Sequence, residues 1–213
     1  GLLKPAATEL PEVGVPLIPA RWRDINTMTI AYGHGLAVSP VQLAGAVGAI
    51  VNGGIRMPVT ILKHHRGASL LGERVVSAET STTMRRLMRL VVTRGTGRNA
   101  DVPGYRVGGK TGTAEKLVAR RYRADVLISS FVGAFPTDAP RYVVLVLIDE
   151  PKGNKSTFGY ATGGWVAAPV VGRLVRRIAP LVGMTPGGEE KEPAPGNPLF
   201  IPVKGGAVKA RVQ

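Results

Sequence analysis

Two apolar runs joined by a short connection limit the fold of this chain more than any other feature. Residues 142–148 form an unbroken apolar run, which is typical of a central strand. Residues 129–135 form a second candidate strand, and residues 136–141 between the two runs are too few for a parallel crossover. The sequence therefore predicts an antiparallel hairpin and, with it, an antiparallel sheet.

Two helices are predicted upstream from local capping signals. Ser39 followed by Pro40 is typical of a helix start, because the serine hydroxyl caps free N–H groups and proline suits the first helical position. Residues 52–54 form a stop signal, and the apolar residues in between cover most faces, so this helix is expected to be buried. Ser77 is predicted to cap a second helix of about 16 residues.

The remaining elements complete an α+β arrangement. Residues 55–64 are predicted to form a short strand, residues 105–116 a third strand of the sheet, and residues 165–182 a closing helix with Pro169 near its first turn. Residues 1–27 are rich in proline and are expected to form a loop on the domain. An antiparallel β-sheet flanked by helices is the simplest architecture for this order of elements.

Length and composition indicate a single globular domain. We predict a domain over residues 1–183 and a flexible tail over residues 184–213, where Gly, Pro, Glu and Lys dominate. The 28 Lys and Arg against 14 Asp and Glu give a net charge of +14, which attracts polyanions. Basic residues are not interleaved with aromatic ones, so we expect a basic solvated surface and no nucleic-acid partner. The absence of cysteine excludes disulfides and cysteine-based metal sites.

One segment fits two incompatible hypotheses. Residues 104–111 match the Gly-x-x-x-x-Gly-Lys-Thr pattern of a phosphate-binding loop, and residues 143–150 resemble an apolar strand ending in an acidic Mg²⁺ ligand. Such a loop must follow a buried strand and open a helix. Residues 98–103 do not read as a buried strand, however, and Gly112 interrupts the helix that should begin at Lys110. The context therefore disfavours a nucleotide site.

The second hypothesis places Lys110 on a strand, as the Lys-Thr-Gly element of serine acyl-transferases. Lys110 would supply a positive charge beside the reacting serine, and Gly112 would let a substrate backbone lie against the strand edge. The hydroxyls of Thr111 and Thr113 can bind a carboxylate, and the Thr113 N–H can donate into an oxyanion hole. Because this three-residue motif is common by chance, the flanking sequence decides between the hypotheses.

The flanking sequence resembles class B penicillin-binding proteins. Residues 31–44 are similar to their Gly-x-Gly-x-x-x-Thr/Ser-Pro-x-Gln-Leu-Ala signature, and residues 50–54 to the end of the same helix. Residues 91–97 resemble the segment before the active-site strand, residues 110–116 that strand, and residues 165–171 the closing helix. The similarities follow the order of the family through most of the chain.

Within that family, residues 21–26 and the proline-rich opening look most like the septal, cell-division type. The resemblance implies a serine β-lactamase/transpeptidase-like fold, incomplete in this chain, with residues 1–183 as the C-terminal part of the penicillin-binding transpeptidase domain. It also implies a peptidoglycan D,D-transpeptidase that needs no cofactor. The implied partners are peptidoglycan stem peptides, β-lactam antibiotics, and other cell-division and glycan-polymerising membrane proteins. It also implies a periplasmic domain, anchored in the inner membrane by an upstream segment.

The nucleophile of the family is missing. None of the seven serines heads a Ser-x-x-Lys or a Ser-x-Asn motif, and the resemblance implies that both precede Gly1. The chain is therefore expected to contribute substrate-binding and oxyanion groups without acylating, through Lys110, Thr111, Gly112 and Thr113. Two alternatives stay open. One is a noncatalytic penicillin-binding or scaffold homologue. The other is a D,D-carboxypeptidase or β-lactamase relative, and the signature over residues 32–44 disfavours this second alternative.

Four further groups of polar residues have plain structural explanations. His34, between two glycines, is expected to be a turn residue rather than a base, and His64-His65 lack the partners of a metal site. Residues 120–123 are expected to form a solvated loop near the mouth of the site, with binding of the acidic stem peptide as the alternative, and residues 149–151 are expected to end a strand.

Overall fold

The computed structural model describes residues 1–63, 71–118 and 121–187. His64-His65 and nearly all of the predicted tail lie outside these residues. The helices and strands are, in chain order, α1 (Asp24–Ala31), α2 (Pro40–Val51), β1 (Ile55–Arg56), β2 (Glu73–Arg74), α3 (Ala78–Thr93), β3 (Gly108–Val118), β4 (Arg121–Phe135), β5 (Tyr142–Asp149), α4 (Gly163–Val166) and α5 (Ala168–Leu181).

The main sheet has the order β3-β4-β5, and both strand pairs are antiparallel. The predicted hairpin is therefore confirmed, and so is the α+β class with an antiparallel sheet. Among the described residues β4 lies between β3 and β5, so a central place for β5 stays a prediction. The apolar run of β5 fits the cover on both of its faces: Val144 and Val146 contact the core that contains α5, while Val143 contacts the core that contains α2.

β4 begins well before the predicted strand and contains a wide irregularity. Glu115 lies opposite Leu127, whereas the next β3 residue, Lys116, lies opposite Arg123. Residues 124–126 of β4 therefore have no partner on β3. Beyond them, the two strands continue as an outer hairpin arm, so the prediction of a loop over residues 120–123 is wrong for the described residues 121–123.

The larger core lies on one face of the sheet. Phe131 and Phe135 of β4 are fully buried there, together with Val171 and Val175 of α5 and Val92 of α3. α5 buries one apolar side because its core residues recur at helical spacing. The opposite side carries Arg173, Arg176 and Arg177, which are exposed to solvent.

A smaller core lies on the other face of the sheet, where Val51 of α2 and Met88 of α3 contact Ala134. The predicted burial of α2 is correct only in part. Three of its residues are buried, Gln42, Ala49 and Val51, and most of the others are partly exposed.

The capping predictions are confirmed at both helices. The Ser39 hydroxyl accepts a hydrogen bond from the Gln42 N–H at 3.3 Å, and the Ser77 hydroxyl accepts one from the Thr80 N–H at 3.0 Å. The closing helix is divided into α4 and α5 at Ala167, so the prediction of one continuous helix over residues 165–182 is wrong.

The N-terminal segment is mostly irregular and poorly buried. Residues 1–23 lack helices and multi-residue strands, and α1, which the sequence did not predict, has no buried residue. The strand predicted over residues 55–64 is confirmed only for Ile55–Arg56, which pairs with β2.

Candidate active site

The structure places the Lys-Thr-Gly element inside β3. Lys110 lies opposite Val132, and Thr113 lies opposite Ser129 of β4. A phosphate-binding loop would require a turn into a helix at Lys110, whereas here the chain stays extended through Val118. The nucleotide hypothesis is therefore excluded by the backbone, and the predicted strand position of Lys110 is confirmed.

Side chains of β3 alternate between the two faces of the sheet. Thr111 and Thr113 point towards α4 and the turn that follows α3, as their contacts below show. Lys110 and Gly112 therefore face the opposite way, and Ser130 is on their side because a Cβ added to Gly112 would overlap its hydroxyl. Lys110 is exposed, and its Nζ donates to the Thr111 carbonyl at 2.7 Å.

The hydroxyls of Thr111 and Thr113 each contact a residue outside the sheet, one in the turn after α3 and one at the start of α4. Thr111 Oγ1 lies 3.0 Å from Thr96 Oγ1, and Thr113 Oγ1 accepts a hydrogen bond from the Gly163 N–H at 3.1 Å. The predicted site residues thus occupy one continuous stretch of strand, with the ammonium on one face and the hydroxyls on the other. Sequence reasoning did not assign a role to Thr96 or Gly163.

Two glycines let α4 approach the sheet closely enough for these contacts. A Cβ on Gly163 would overlap the Ser130 carbonyl and lie 2.5 Å from the Gly112 carbonyl. A Cβ on Gly164 would overlap the carbonyl of Thr96. Backbone atoms cannot move aside as a flexible side chain can, so this approach requires glycine at both positions.

One edge of β3 is free among the described residues, because the sheet order leaves β3 paired only with β4. A free strand edge presents N–H and C=O groups that can pair with an extended peptide. The Lys-Thr-Gly element therefore lies where a substrate backbone could add to the sheet.

An ionic cluster ties β3 to the end of β5. Lys116 Nζ lies 2.9 Å from Asp149 Oδ2 and 2.8 Å from Glu150 Oε1. The hydrogen bond to Glu150, with that to Asp149 next, raises the pKa of Lys116 above its usual value. Asp149 is the last residue of β5, so the prediction that residues 149–151 end a strand is confirmed.

The outer hairpin arm contacts the loop between α1 and α2. The His34 and Tyr122 rings are 5.2 Å apart, and His34 is exposed between Gly33 and Gly35, which both have positive φ. The turn predicted at His34 is confirmed. Within the unpaired β4 residues, the side-chain hydrogen bond from Arg123 lowers the pKa of Asp125.

No described serine lies in a Ser-x-x-Lys or Ser-x-Asn motif. Ser129 is buried, with its hydroxyl donating to the Ala161 carbonyl, and Ser130 faces Gly112. In the described part of the chain, His, Asp and Glu side chains form no cluster of three or more that could hold a metal ion. The helices described there are also too short or too polar to cross a membrane.

Comparison with known proteins gives consistent matches over most of the chain. Residues 5–176 match the penicillin binding protein transpeptidase domain. A probable peptidoglycan D,D-transpeptidase FtsI of Caulobacter vibrioides is 49% identical over 193 residues, which are 86% of this chain and 33% of that protein. The stage V sporulation protein D of Bacillus subtilis is 41% identical over 76% of this chain and 26% of its own length.

Solved structures give the same result. The transpeptidase domain of Burkholderia pseudomallei penicillin-binding protein 3 superposes with a TM-score of 0.78 at 40% identity, over 87% of this chain and 56% of that one. Penicillin-binding protein 3 of Mycobacterium tuberculosis, solved in complex with ampicillin, has a TM-score of 0.77 at 31% identity, over 91% and 46%. The chain spans about a third or less of these curated relatives and about half of these solved structures. It belongs to the penicillin-binding protein transpeptidase family.

Proposed function

We propose that this chain forms the substrate-binding part of a peptidoglycan D,D-transpeptidase. The observation that carries the proposal is an exposed lysine, Lys110, on a strand whose outer edge is unpaired in the described structure. The name of the Caulobacter relative and the ampicillin complex of the Mycobacterium structure support the same reaction class.

The proposed chemistry is acyl transfer through a serine outside this sequence. The serine oxygen attacks the carbonyl of the D-Ala-D-Ala peptide bond, the C–N bond breaks, and terminal D-Ala leaves as the amine after receiving a proton. The amine of a neighbouring stem peptide then attacks the ester carbonyl, forms the crosslink and releases the serine. A β-lactam opens its ring at the first step and remains as the ester.

Each site residue has a distinct part in this proposal. The Lys110 ammonium stabilises negative charge beside the serine and steadies the proton relay. Gly112 keeps the strand edge open to the substrate backbone, and the Thr113 N–H donates to the oxyanion. The hydroxyls of Thr111 and Thr113 bind the substrate carboxylate.

We assign the protein to the septal, cell-division type, which the FtsI names of two relatives support. In this assignment the domain is periplasmic and is anchored in the inner membrane by a segment outside this sequence. Its ligands are stem peptides and β-lactams, and its protein partners are other cell-division and glycan-polymerising membrane proteins.

A noncatalytic homologue is the second candidate, because none of the 213 residues heads a Ser-x-x-Lys or Ser-x-Asn motif. The sequence of the full-length gene separates the two candidates. A transpeptidase carries both motifs before the region that corresponds to this chain, and a scaffold homologue lacks the serine.

Labelling with a fluorescent penicillin tests the proposed reaction. The full-length protein should form a covalent adduct, whereas this chain alone should form none. In the full-length protein, Lys110→Ala should slow acylation by about 100-fold, within the range of a positioned acid–base or charged group. Lys152→Ala removes another exposed lysine, on the loop after β5, and should leave labelling unchanged. A normal acylation rate in Lys110→Ala would contradict the role of Lys110.

A further inference from the structure

The hydroxyl of Thr96 has a position that the acyl-transfer motifs do not explain. Thr96 lies in the turn between α3 and β3, and its Oγ1 is 3.0 Å from the Oγ1 of Thr111. Either oxygen can be the donor at this distance. The contact joins a residue outside the Lys-Thr-Gly element directly to one inside it.

The backbone around Thr96 is fixed on the α3 side. The N–H groups of Gly95 and Gly97 both donate to the Val91 carbonyl, at 3.1 and 2.9 Å. Gly97 also lies against the sheet core, since a Cβ there would be 2.9 Å from Phe131 Cε2. The turn therefore cannot shift without disturbing the end of α3 or the Phe131 ring.

The backbone is fixed on the α4 side as well. Gly164 approaches so closely that a Cβ there would overlap the Thr96 carbonyl, and Asn99 Nδ2 donates to the Gly164 carbonyl at 2.8 Å. The same Cβ position is 3.6 Å from Thr111 Cγ2. Thr111 thus has its hydroxyl against Thr96 and its methyl towards the start of α4, which selects one χ1 rotamer of a β-branched side chain.

Thr113 shows how a hydrogen bond to a threonine oxygen leaves the hydroxyl hydrogen free to donate. Its hydroxyl accepts a hydrogen bond from the Gly163 N–H, which can only donate, so the Thr113 hydroxyl hydrogen stays available. If Thr96 donates to Thr111, the Thr111 hydroxyl is in the same state. Each of the two hydroxyl oxygens then accepts a hydrogen bond from a neighbouring residue, and each hydroxyl hydrogen is available to donate to an anionic ligand.

We infer that Thr96 is a positioning residue for the substrate carboxylate: its hydroxyl donates to Thr111 and orients the Thr111 hydroxyl as a donor to that carboxylate. This role rests on the transpeptidase function proposed above. Orientation before binding lowers the ordering cost that the complex would otherwise bear. In this role Thr96 acts through Thr111 and not on the substrate, so its effect should fall on affinity rather than on the chemical step.

The test uses the full-length protein and splits penicillin acylation into the dissociation constant of the initial complex and the rate constant of acylation. Thr96→Val removes the hydroxyl at nearly constant volume, and it should weaken initial binding roughly tenfold, the equivalent of about 1.4 kcal/mol. The acylation rate constant should change less than threefold, on the order of 0.6 kcal/mol. Thr96→Ala should reproduce the loss, and Thr96→Ser, which keeps the hydroxyl, should restore binding.

A β-lactam methyl ester separates positioning from a general structural effect. It lacks the free carboxylate, so Thr96→Val should bind it as weakly as the wild type does. Thr93→Val is the matched control, because Thr93 is an exposed threonine whose hydroxyl bonds to the Arg89 carbonyl of its own helix. It should leave both constants unchanged.

The outcomes distinguish the positioning role from the proposed function. Wild-type binding in Thr96→Val, no recovery in Thr96→Ser, or an equal loss for the ester would overturn the positioning role alone. If the wild-type full-length protein forms no adduct with penicillin, the transpeptidase function is wrong and the positioning role is wrong with it.

Discussion

Apolar side chains are buried in the main sheet (β3–β5) but exposed in the N-terminal segment, residues 1–31. Phe131 and Phe135 of β4 are fully buried between α5 and the sheet, whereas Val15 and Leu17 are 74% and 72% exposed. α1 in the N-terminal segment has no buried residue at all. The strand that carries Lys110 therefore rests on a core formed within this chain, while the N-terminal segment contributes little to it.

The difference in exposure divides the apolar residues into those that pack within this chain and those that this chain leaves exposed. Those of the sheet region support the strand that carries Lys110, because β3 pairs with β4 and its Gly109 lies against the ring of Phe131, which is buried in the same core as α5. Those of the N-terminal segment are uncovered by the described residues, and the chain covers only 56% of the Burkholderia domain. We expect substitutions in the two regions to differ most in the isolated chain and less in the full-length protein.

The largest effect should come from Phe131→Ala. The side chain is fully buried and lies against Gly97, Gly109 and Gly133. Its loss leaves a cavity under β3 and should cost about 3–5 kcal/mol of unfolding free energy. Denaturant unfolding of the full-length protein measures it. Leu181→Ala is the control, because Leu181 is 84% exposed at the end of α5, and it should cost no more than about 0.5 kcal/mol. Equal costs for the two would contradict the assignment of the core.

Gly163→Ala should have the next largest effect. The new methyl group would meet backbone carbonyls of Ser130 and Gly112, and the strain should cost about 1–3 kcal/mol and displace β3. The free energy of unfolding and the rate of penicillin acylation should both fall. Gly48→Ala, within α2, meets no atom within 4 Å, so it should impair neither measurement. Normal acylation by Gly163→Ala would show that the close approach of α4 is not needed.

Val15→Thr tests the N-terminal segment. In the isolated chain it should change the unfolding free energy by no more than about 0.5 kcal/mol, since the side chain is 74% exposed. In the full-length protein we expect a cost of about 1–2 kcal/mol, because a hydroxyl would be buried there without a partner. The same small change in both proteins would mean that this surface remains in water.

The smallest effect concerns Lys116. Its folded pKa is raised, so the stabilisation by Glu150 and Asp149 is fully present below the unfolded pKa and is lost as the pH rises through the folded value. The difference in stability between the wild type and Lys116→Met should therefore be constant near neutral pH and vanish in strong alkali. Added salt should reduce it, because the group is accessible to solvent. A difference that persists in alkali would point to packing instead.

Local signals in the sequence predicted the parts of the fold that local contacts determine. Ser39 and Ser77 cap helices through residues three positions away, so their patterns are sufficient. The hairpin between β4 and β5 was predictable because its connection is short. The strand position of Lys110 followed from the same reasoning, since Gly112 is incompatible with a helix start.

The parts that sequence reasoning missed depend on distant partners. The first half of β4 is polar because it forms an exposed arm, and only its pairing with β3 makes it a strand. The apolar run of β5 reflects cores on both of its faces, which involve residues of distant helices, and the run alone does not fix the place of β5 in the sheet. Thr96 and Gly163 contact residues of β3 that are 15 and 50 positions away, for which no local pattern exists.

The edge of β3 that the described residues leave unpaired also bears on how the protein behaves before it binds any ligand. An uncovered edge is a template for pairing with another copy of the chain, and such pairing leads to aggregation. Lys110, Glu115 and Lys116 place charges along this strand, and charged side chains discourage edge-to-edge association. Lys110, which we propose acts on the substrate, and its charged neighbours on β3 thus also help to keep newly made molecules apart.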